Sequence, residues 1–173
     1  MLKKFIPLIL GTGRVGRQSE KVAQYMMTVL SARADATVQL VDVRDFAPRF
    51  TTPAKENNPA TAPWQALAKR ADAFIIVTPE YNHGYPGELK LLLDQDRENY
   101  VGKKVLLCGV SAGGLGGARV VENLLPVCRD CEMIVLRTSL YFSNVVDTFV
   151  LPLDELNKLY QDNINKAVDG LIK

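Results

Sequence analysis

The sequence predicts a three-layer α/β sandwich, and three observations carry that reading. Short apolar runs alternate with helix-period segments along all 173 residues. The runs are continuous rather than alternating, as in strands covered on both faces. Loops rich in Gly and Pro follow several of the runs. Five strand-then-helix repeats of this kind place a parallel sheet between two layers of helices.

The elements follow in order. Residues 5–10 form a first strand, in which Pro7 lacks a ladder donor and predicts a bulge or a late start. A helix with the stripe Val22, Ala23, Met26 and Leu30 comes next, then a second strand at residues 37–43. Residues 44–63, rich in Pro, Asn and Thr, read as a long surface loop. Residues 73–78 and 105–110 are short apolar strands, and residues 133–138 are a weaker one. Leu89, Leu92 and Leu93 mark one helix, and Val120, Leu124 and Cys128 mark another. The last stripe is Leu153, Leu156, Tyr160, Ile164, Val168 and Leu171.

Composition narrows the functional classes. One well-buried core, hence a single domain over residues 1–173, is expected at this length. The formal charge of 21 − 19 = +2 comes without a dense Lys/Arg tract, which argues against nucleic acid as a partner. The apolar run after the basic N-terminus ends within six residues in a Gly/Arg loop, so it reads as a strand rather than a signal peptide. No stretch approaches the roughly 18–20 apolar residues of a membrane span. A cytoplasmic protein without membrane association is expected. The odd count of three cysteines speaks against a disulfide framework. Cys128 and Cys131 lack further ligands for zinc, and they read as an incidental pair near a helix end.

Ligands of an open parallel sheet bind beyond the carboxyl ends of its strands, so the loops there matter most. The loop after the first strand carries Gly11, Thr12, Gly13, Arg14, Gly16, Arg17, Gln18 and Ser19 and opens a helix. Amides at a helix start, with arginines and hydroxyls, suit an anion. Gly11, Gly13 and Gly16 also fit the dinucleotide pattern G-x-G-x-x-G, with Asp42 closing the next run, although that pattern alone is weak.

The stretch from Thr78 to Lys90, Thr-Pro-Glu-Tyr-Asn-His-Gly-Tyr-Pro-Gly-Glu-Leu-Lys, resembles the signature of the NADPH-dependent FMN reductase family. That family comprises flavodoxin-like quinone, azo and chromate reductases. The loop at residues 11–17 resembles the family's phosphate loop, and residues 109–119 resemble its third ligand loop. The likeness runs from about residue 5 to residue 149. The chain departs from the pattern at Thr12, where Ser is commoner; at Leu91, where Asn often stands; and at Gln95, in place of an aromatic. The last two bear on acceptor choice or subunit contacts rather than on flavin binding.

The resemblance implies a flavodoxin-like five-stranded parallel sheet of order 2-1-3-4-5 and bound FMN, with NADPH or NADH as hydride donor. It implies that Thr12, Arg14, Gln18 and Ser19 take the FMN phosphate, which leaves Asp42 as a strand-end carboxylate. Pro79 would limit backbone freedom, and the amides of Glu80, Tyr81 and Asn82 would face the isoalloxazine. Glu80 reads equally as a catalytic, interface or loop-stabilising carboxylate. Ser111, Ala112, Gly113 and Gly114 would let the backbone approach the pyrimidine edge. His83 reads as a plain loop residue, because hydride transfer needs no general base. The flavin carries the redox chemistry, no protein side chain is catalytic, and no metal is required. The expected activity is ping-pong reduction of quinones, azo compounds, free flavin or oxidised metal ions, by a homodimer or homotetramer. The alternative is a flavodoxin-type electron carrier or flavin-binding sensor.

Overall fold

The computed structural model describes residues 3–46, 50–51 and 58–173. A parallel sheet runs through it in the order β2-β1-β3-β4-β5, with β6 also paired to β4. The strands are β1 (Lys4–Leu10), β2 (Ala36–Asp42), β3 (Ala73–Pro79), β4 (Lys104–Val110), β5 (Ile134–Val135) and β6 (Leu140–Phe142). The flavodoxin-like strand order is therefore as expected, while the fifth strand position is split. β5 pairs with the start of β4 and β6 with its end, so residues 136–139 interrupt what the sequence presents as one weak run.

Alternation along the buried strands supplies both faces of the core. Ile6, Leu8 and Leu10 of β1, Ile75 and Val77 of β3, and Leu106 and Cys108 of β4 point to one side. There they meet α1 (Ser19–Ser31), the short helices α6 (Val145–Thr148) and α7 (Leu153–Leu156), and α8 (Asp162–Ile172). Ile9, Phe74, Ile76, Val105 and Leu107 point to the other side. That face is covered by α2 (Val43–Phe46), α3 (Ala62–Arg70), α4 (Gly87–Leu93) and α5 (Ala118–Asp130). β1, β3 and β4 thus read as nearly unbroken apolar runs because both of their faces are buried, whereas the edge strand β2 is largely exposed.

Three local expectations change. Pro7 sits in regular register opposite Gln39, without a bulge. The N–H groups of Phe5 and Gly11 point toward the β3 side, so alternation puts the Pro7 nitrogen there too, and pairing with β3 begins only at Leu8. Leu153 is half exposed and the buried stripe of the C-terminal region starts at Leu156; between α7 and α8 one π-type turn spans Asn157–Gln161. The expected loop at residues 44–63 contains α2 at one end and the start of α3 at the other, while residues 47–49 and 52–57 lie outside the described residues.

Candidate active site

The carboxyl ends of β1, β3, β4 and β6 open onto one cleft of about 370 Å³, within the roughly 300–1,000 Å³ typical of small-molecule sites. Of the residues expected there, Arg14, Gln18, Ser19, Pro79, Glu80, Tyr81, Ser111 and Ala112 line it. Thr12, Asn82, Gly113 and Gly114 belong to the same loops but lie off the lining. Val15, Gly16, Arg17, Val110 and Val145 line it as well. Val145 is the first residue of α6, which follows β6 and which no composition signal had marked.

The loop after β1 owes its shape to a buried ion pair. Arg17, with a side chain only 2% exposed, turns inward to grip both carboxylate oxygens of Asp42 at the end of β2. It also donates to Thr12 O at 2.6 Å. The Asp42 hydrogen bonds raise the arginine above its usual value against the opposing effect of burial. Burial pushes the Asp42 carboxyl up, but hydrogen bonds from Arg17 and the Arg44 amide outweigh it, leaving the carboxyl below its usual range. Arg44 braces the same loop, donating to Gly13 O at 3.1 Å and Arg14 O at 2.9 Å. Asp42 is thus a structural anchor, and Arg17 is committed to it. Gly16 turns the chain at φ +70°, a region costly for other residues.

Arg14 remains available. It is exposed at the cleft, with its guanidinium carbon 5.4 Å from the centroid of the Tyr81 ring. The N-terminus of α1 also faces the cleft. Its N-cap residue, Gln18, makes no capping bond, and Gln18 Oε1 and Ser19 Oγ are buried with no hydrogen-bond partner among the described residues. The first-turn amides of a helix likewise have no acceptor within it. Unsatisfied donors at the positive end of a helix suit an anionic oxygen. Gln18 Oε1 is an acceptor and suits a ligand hydroxyl instead.

The loop after β3 is fixed differently. Asn82 and His83 adopt φ +49° and +65°, and Tyr81 and Gly84 exchange N–H···O bonds of 3.0 and 2.9 Å around them. This is the geometry of a two-residue turn, in which Asn is favoured. Asn123 Nδ2 donates to His83 O at 2.6 Å, leaving the exposed imidazole outside these contacts. Glu80 N–H donates to Val110 O at 2.9 Å. The expectation that the Glu80 and Tyr81 amides face a ligand ring is therefore corrected, since both are engaged inside the protein. The Asn82 amide is the one of the three without a partner among the described residues. The Glu80 carboxylate, for its part, accepts from the amides of Arg119 and Val120 at 3.2 and 3.3 Å and lies 3.9 Å from the Arg119 guanidinium. Of the readings open for Glu80, the loop-stabilising one describes these contacts.

In the loop after β4, Gly113 and Gly114 face open space, with nothing within 4 Å of a Cβ added at either. Close approach happens elsewhere: a Cβ on Gly109 would lie 2.5 Å from Gly117 O, and one on Gly117 would lie 2.6 Å from Val110 N. These glycines seat the start of α5 on β4. Cys128 is buried at the far end of α5 with its thiol pushed up by burial to about 12, opposite to a reactive thiolate. Among the described residues no group of three or more His, Cys, Asp or Glu could hold a metal ion, and no helix is long and apolar enough to cross a membrane.

A family model described as NADPH-dependent FMN reductase matches residues 6–147. An NAD(P)H-dependent FMN reductase of Saccharomyces cerevisiae is 27% identical over 148 residues, 76% of each chain. A quinone reductase of Escherichia coli is 31% identical over 147 residues, 81% of this chain and 73% of that one. Among solved structures, a flavoenzyme NAD(P)H:(acceptor) oxidoreductase from Paracoccus denitrificans superposes with TM-score 0.81 at 19% identity, covering 98% of this chain and 97% of that one. An NADH:FMN oxidoreductase in its apo form gives 0.77 at 20% identity, covering 98% and 90%. At those identities the two structures speak for the fold.

Proposed function

The chain belongs to the NADPH-dependent FMN reductase family, and from that premise we propose that it is an FMN-dependent NAD(P)H oxidoreductase reducing quinones, azo compounds, free flavin or oxidised metal ions. The observation that carries the reading is the cleft itself, in which one helix N-terminus, with a buried Ser19 hydroxyl that has no partner among the described residues and an exposed Arg14, stands beside the small residues Ser111 and Ala112. That pairing suits a molecule with an anionic end and a flat aromatic end, as FMN is. Arg14, Ser19 and the first-turn amides of α1 would hold the phosphate, with Thr12 behind them. Gln18, through its free acceptor, would meet a ribityl hydroxyl. Pro79, Tyr81 and the Asn82 amide would border the ring on one side, and Ser111, Ala112, Gly113 and Gly114 on another.

Fixed backbone donors hold such a ring without reorganising, and they stabilise negative charge that develops on it. FMN, when bound, would supply two-electron chemistry, with NADPH or NADH as hydride donor and an acceptor reduced in the same open cleft in a separate half-reaction, hence ping-pong kinetics. We infer a cytoplasmic, single-domain homodimer or homotetramer, with the acceptor as its small-molecule partner.

The test is spectroscopic. Purified protein loaded with FMN should show a flavin spectrum that bleaches rapidly when NADPH or NADH is added without oxygen. Flavin that binds but stays oxidised would favour an electron carrier or sensor, and protein that never takes up flavin would end the proposal.

A further inference from the structure

We propose that the hydroxyl presented to the FMN phosphate is that of Tyr81, with Thr12 as its buried support, so that the loop after β3 completes the phosphate site. The inference rests on reading the cleft as an FMN site. Thr12 is 0% exposed and does not line the cleft, whereas Tyr81 is partly exposed and does. The two hydroxyl oxygens lie 3.3 Å apart, and the Arg14 N–H donates to Thr12 Oγ1 at 3.3 Å. Two hydroxyls carry two protons, and the bond between them consumes one. With Thr12 enclosed, its proton goes to Tyr81 Oη, and the phenol proton is the one left for a ligand oxygen.

Two further features suit Tyr81 to that task. The tight turn that follows it, closed by reciprocal bonds with Gly84, fixes its backbone. The Arg14 guanidinium also lies over its ring, so ring and cation share one wall of the cleft. A charge and a neutral donor would then meet the phosphate from two different loops. The segment that borders the flavin ring would be tied to occupancy of the phosphate subsite.

The experiment compares FMN with riboflavin, which lacks the phosphate, by fluorescence titration of flavin-free protein. Four proteins are needed: the wild type, Tyr81→Phe, Thr12→Val and the double variant, with circular dichroism verifying the fold of each. Tyr81→Phe should weaken FMN binding about tenfold, the scale of one hydrogen bond to a charged group, and leave riboflavin affinity unchanged. Thr12→Val should weaken FMN by the same factor or less, and add nothing in the Tyr81→Phe background. Equal losses for both ligands in Tyr81→Phe, or full FMN affinity in Tyr81→Phe with a loss in Thr12→Val, would overturn the inference alone. A wild type that binds neither flavin would overturn the functional reading and the inference together.

Discussion

Two helices begin at the rim of the cleft, α1 and α5, and each follows a glycine-rich loop from a central strand. Their N-termini are nevertheless in opposite states. The amides of Arg119 and Val120 in α5 already hold the Glu80 carboxylate, an N-cap supplied from the loop after β3. Among the described residues no carboxylate caps the start of α1, and Ser19 Oγ beside it is buried without a partner. One terminus is spent on assembling the site and the other is left for a ligand. A glycine-rich loop before a helix therefore does not by itself identify an anion site. What decides is whether the protein supplies its own anion.

The comparison breaks most readily at the glycines. Gly117→Ala would place a Cβ 2.6 Å from Val110 N in a residue held at φ +79°. Left-handed strain of about 1–2 kcal/mol and overpacking of about 1–3 kcal/mol add up to an expected loss of about 3 kcal/mol by denaturant unfolding. Gly114→Ala meets open space and should stay within about 0.5 kcal/mol of the wild type. Similar losses at both positions would mean that α5 is not seated by close backbone contact.

The brace of the α1 loop comes next. Asp42→Asn takes from the nearly enclosed Arg17 the closer of its two carboxylate partners and leaves Glu20 at 3.4 Å, so the expected cost is about 2 kcal/mol, below the roughly 3–5 kcal/mol of a buried charge left wholly uncompensated. The pH dependence has a defined sign. Since the Asp42 carboxyl is depressed in the folded protein, its contribution is fully present above the ordinary carboxylate value and is lost as pH falls through the lowered one. Acid titration of stability should therefore be shallower in Asp42→Asn than in the wild type below about pH 4, and identical slopes would show that the pair does not contribute.

This pair also marks where the sequence stops being legible. Strands buried on both faces announce themselves as apolar runs, and the three loops stand out by composition, so the layers, the strand order and most of the cleft lining follow from local pattern together with the family likeness. Loop composition alone does not separate Arg17 from Arg14, because the anchor of Arg17 lies 25 residues away on another strand. Only the parallel register that sets Leu10 beside Asp42 brings the two together. Glu80 shows the same limit, since its amide partners are 39 and 40 residues distant. Pro7 misled for a related reason. Its missing donor falls on the β3 side alone, where Asp72 N–H already donates to Phe5 O and regular pairing resumes at Leu8, so the strand keeps its register without that bond.

Removing the protein's own anion from α5 is a milder test. Glu80→Ala exposes two first-turn amides that were capped and should cost about 1 kcal/mol, a typical N-cap loss, with faster amide exchange at Arg119 and Val120. Glu80→Gln keeps an acceptor for those amides and should recover most of the stability. If both variants matched the wild type in exchange at those two amides, α5 would not depend on the cap.

The smallest expected change in stability is at α1, and its sign separates the two termini. Ser19 Oγ is buried without a partner among the described residues, so Ser19→Ala removes an unsatisfied polar atom rather than a bond. Deleting such an atom is neutral or slightly favourable, because the desolvation it suffered on folding is no longer incurred. Flavin-free Ser19→Ala should accordingly unfold within about 0.5 kcal/mol of the wild type or later, where Glu80→Ala unfolds earlier. The same variant should bind FMN more weakly, since the hydroxyl is then missing from the phosphate site, and riboflavin equally well. A clear loss of stability in the flavin-free protein would mean that the hydroxyl already has a partner, and that the start of α1 is closed in the same way as that of α5.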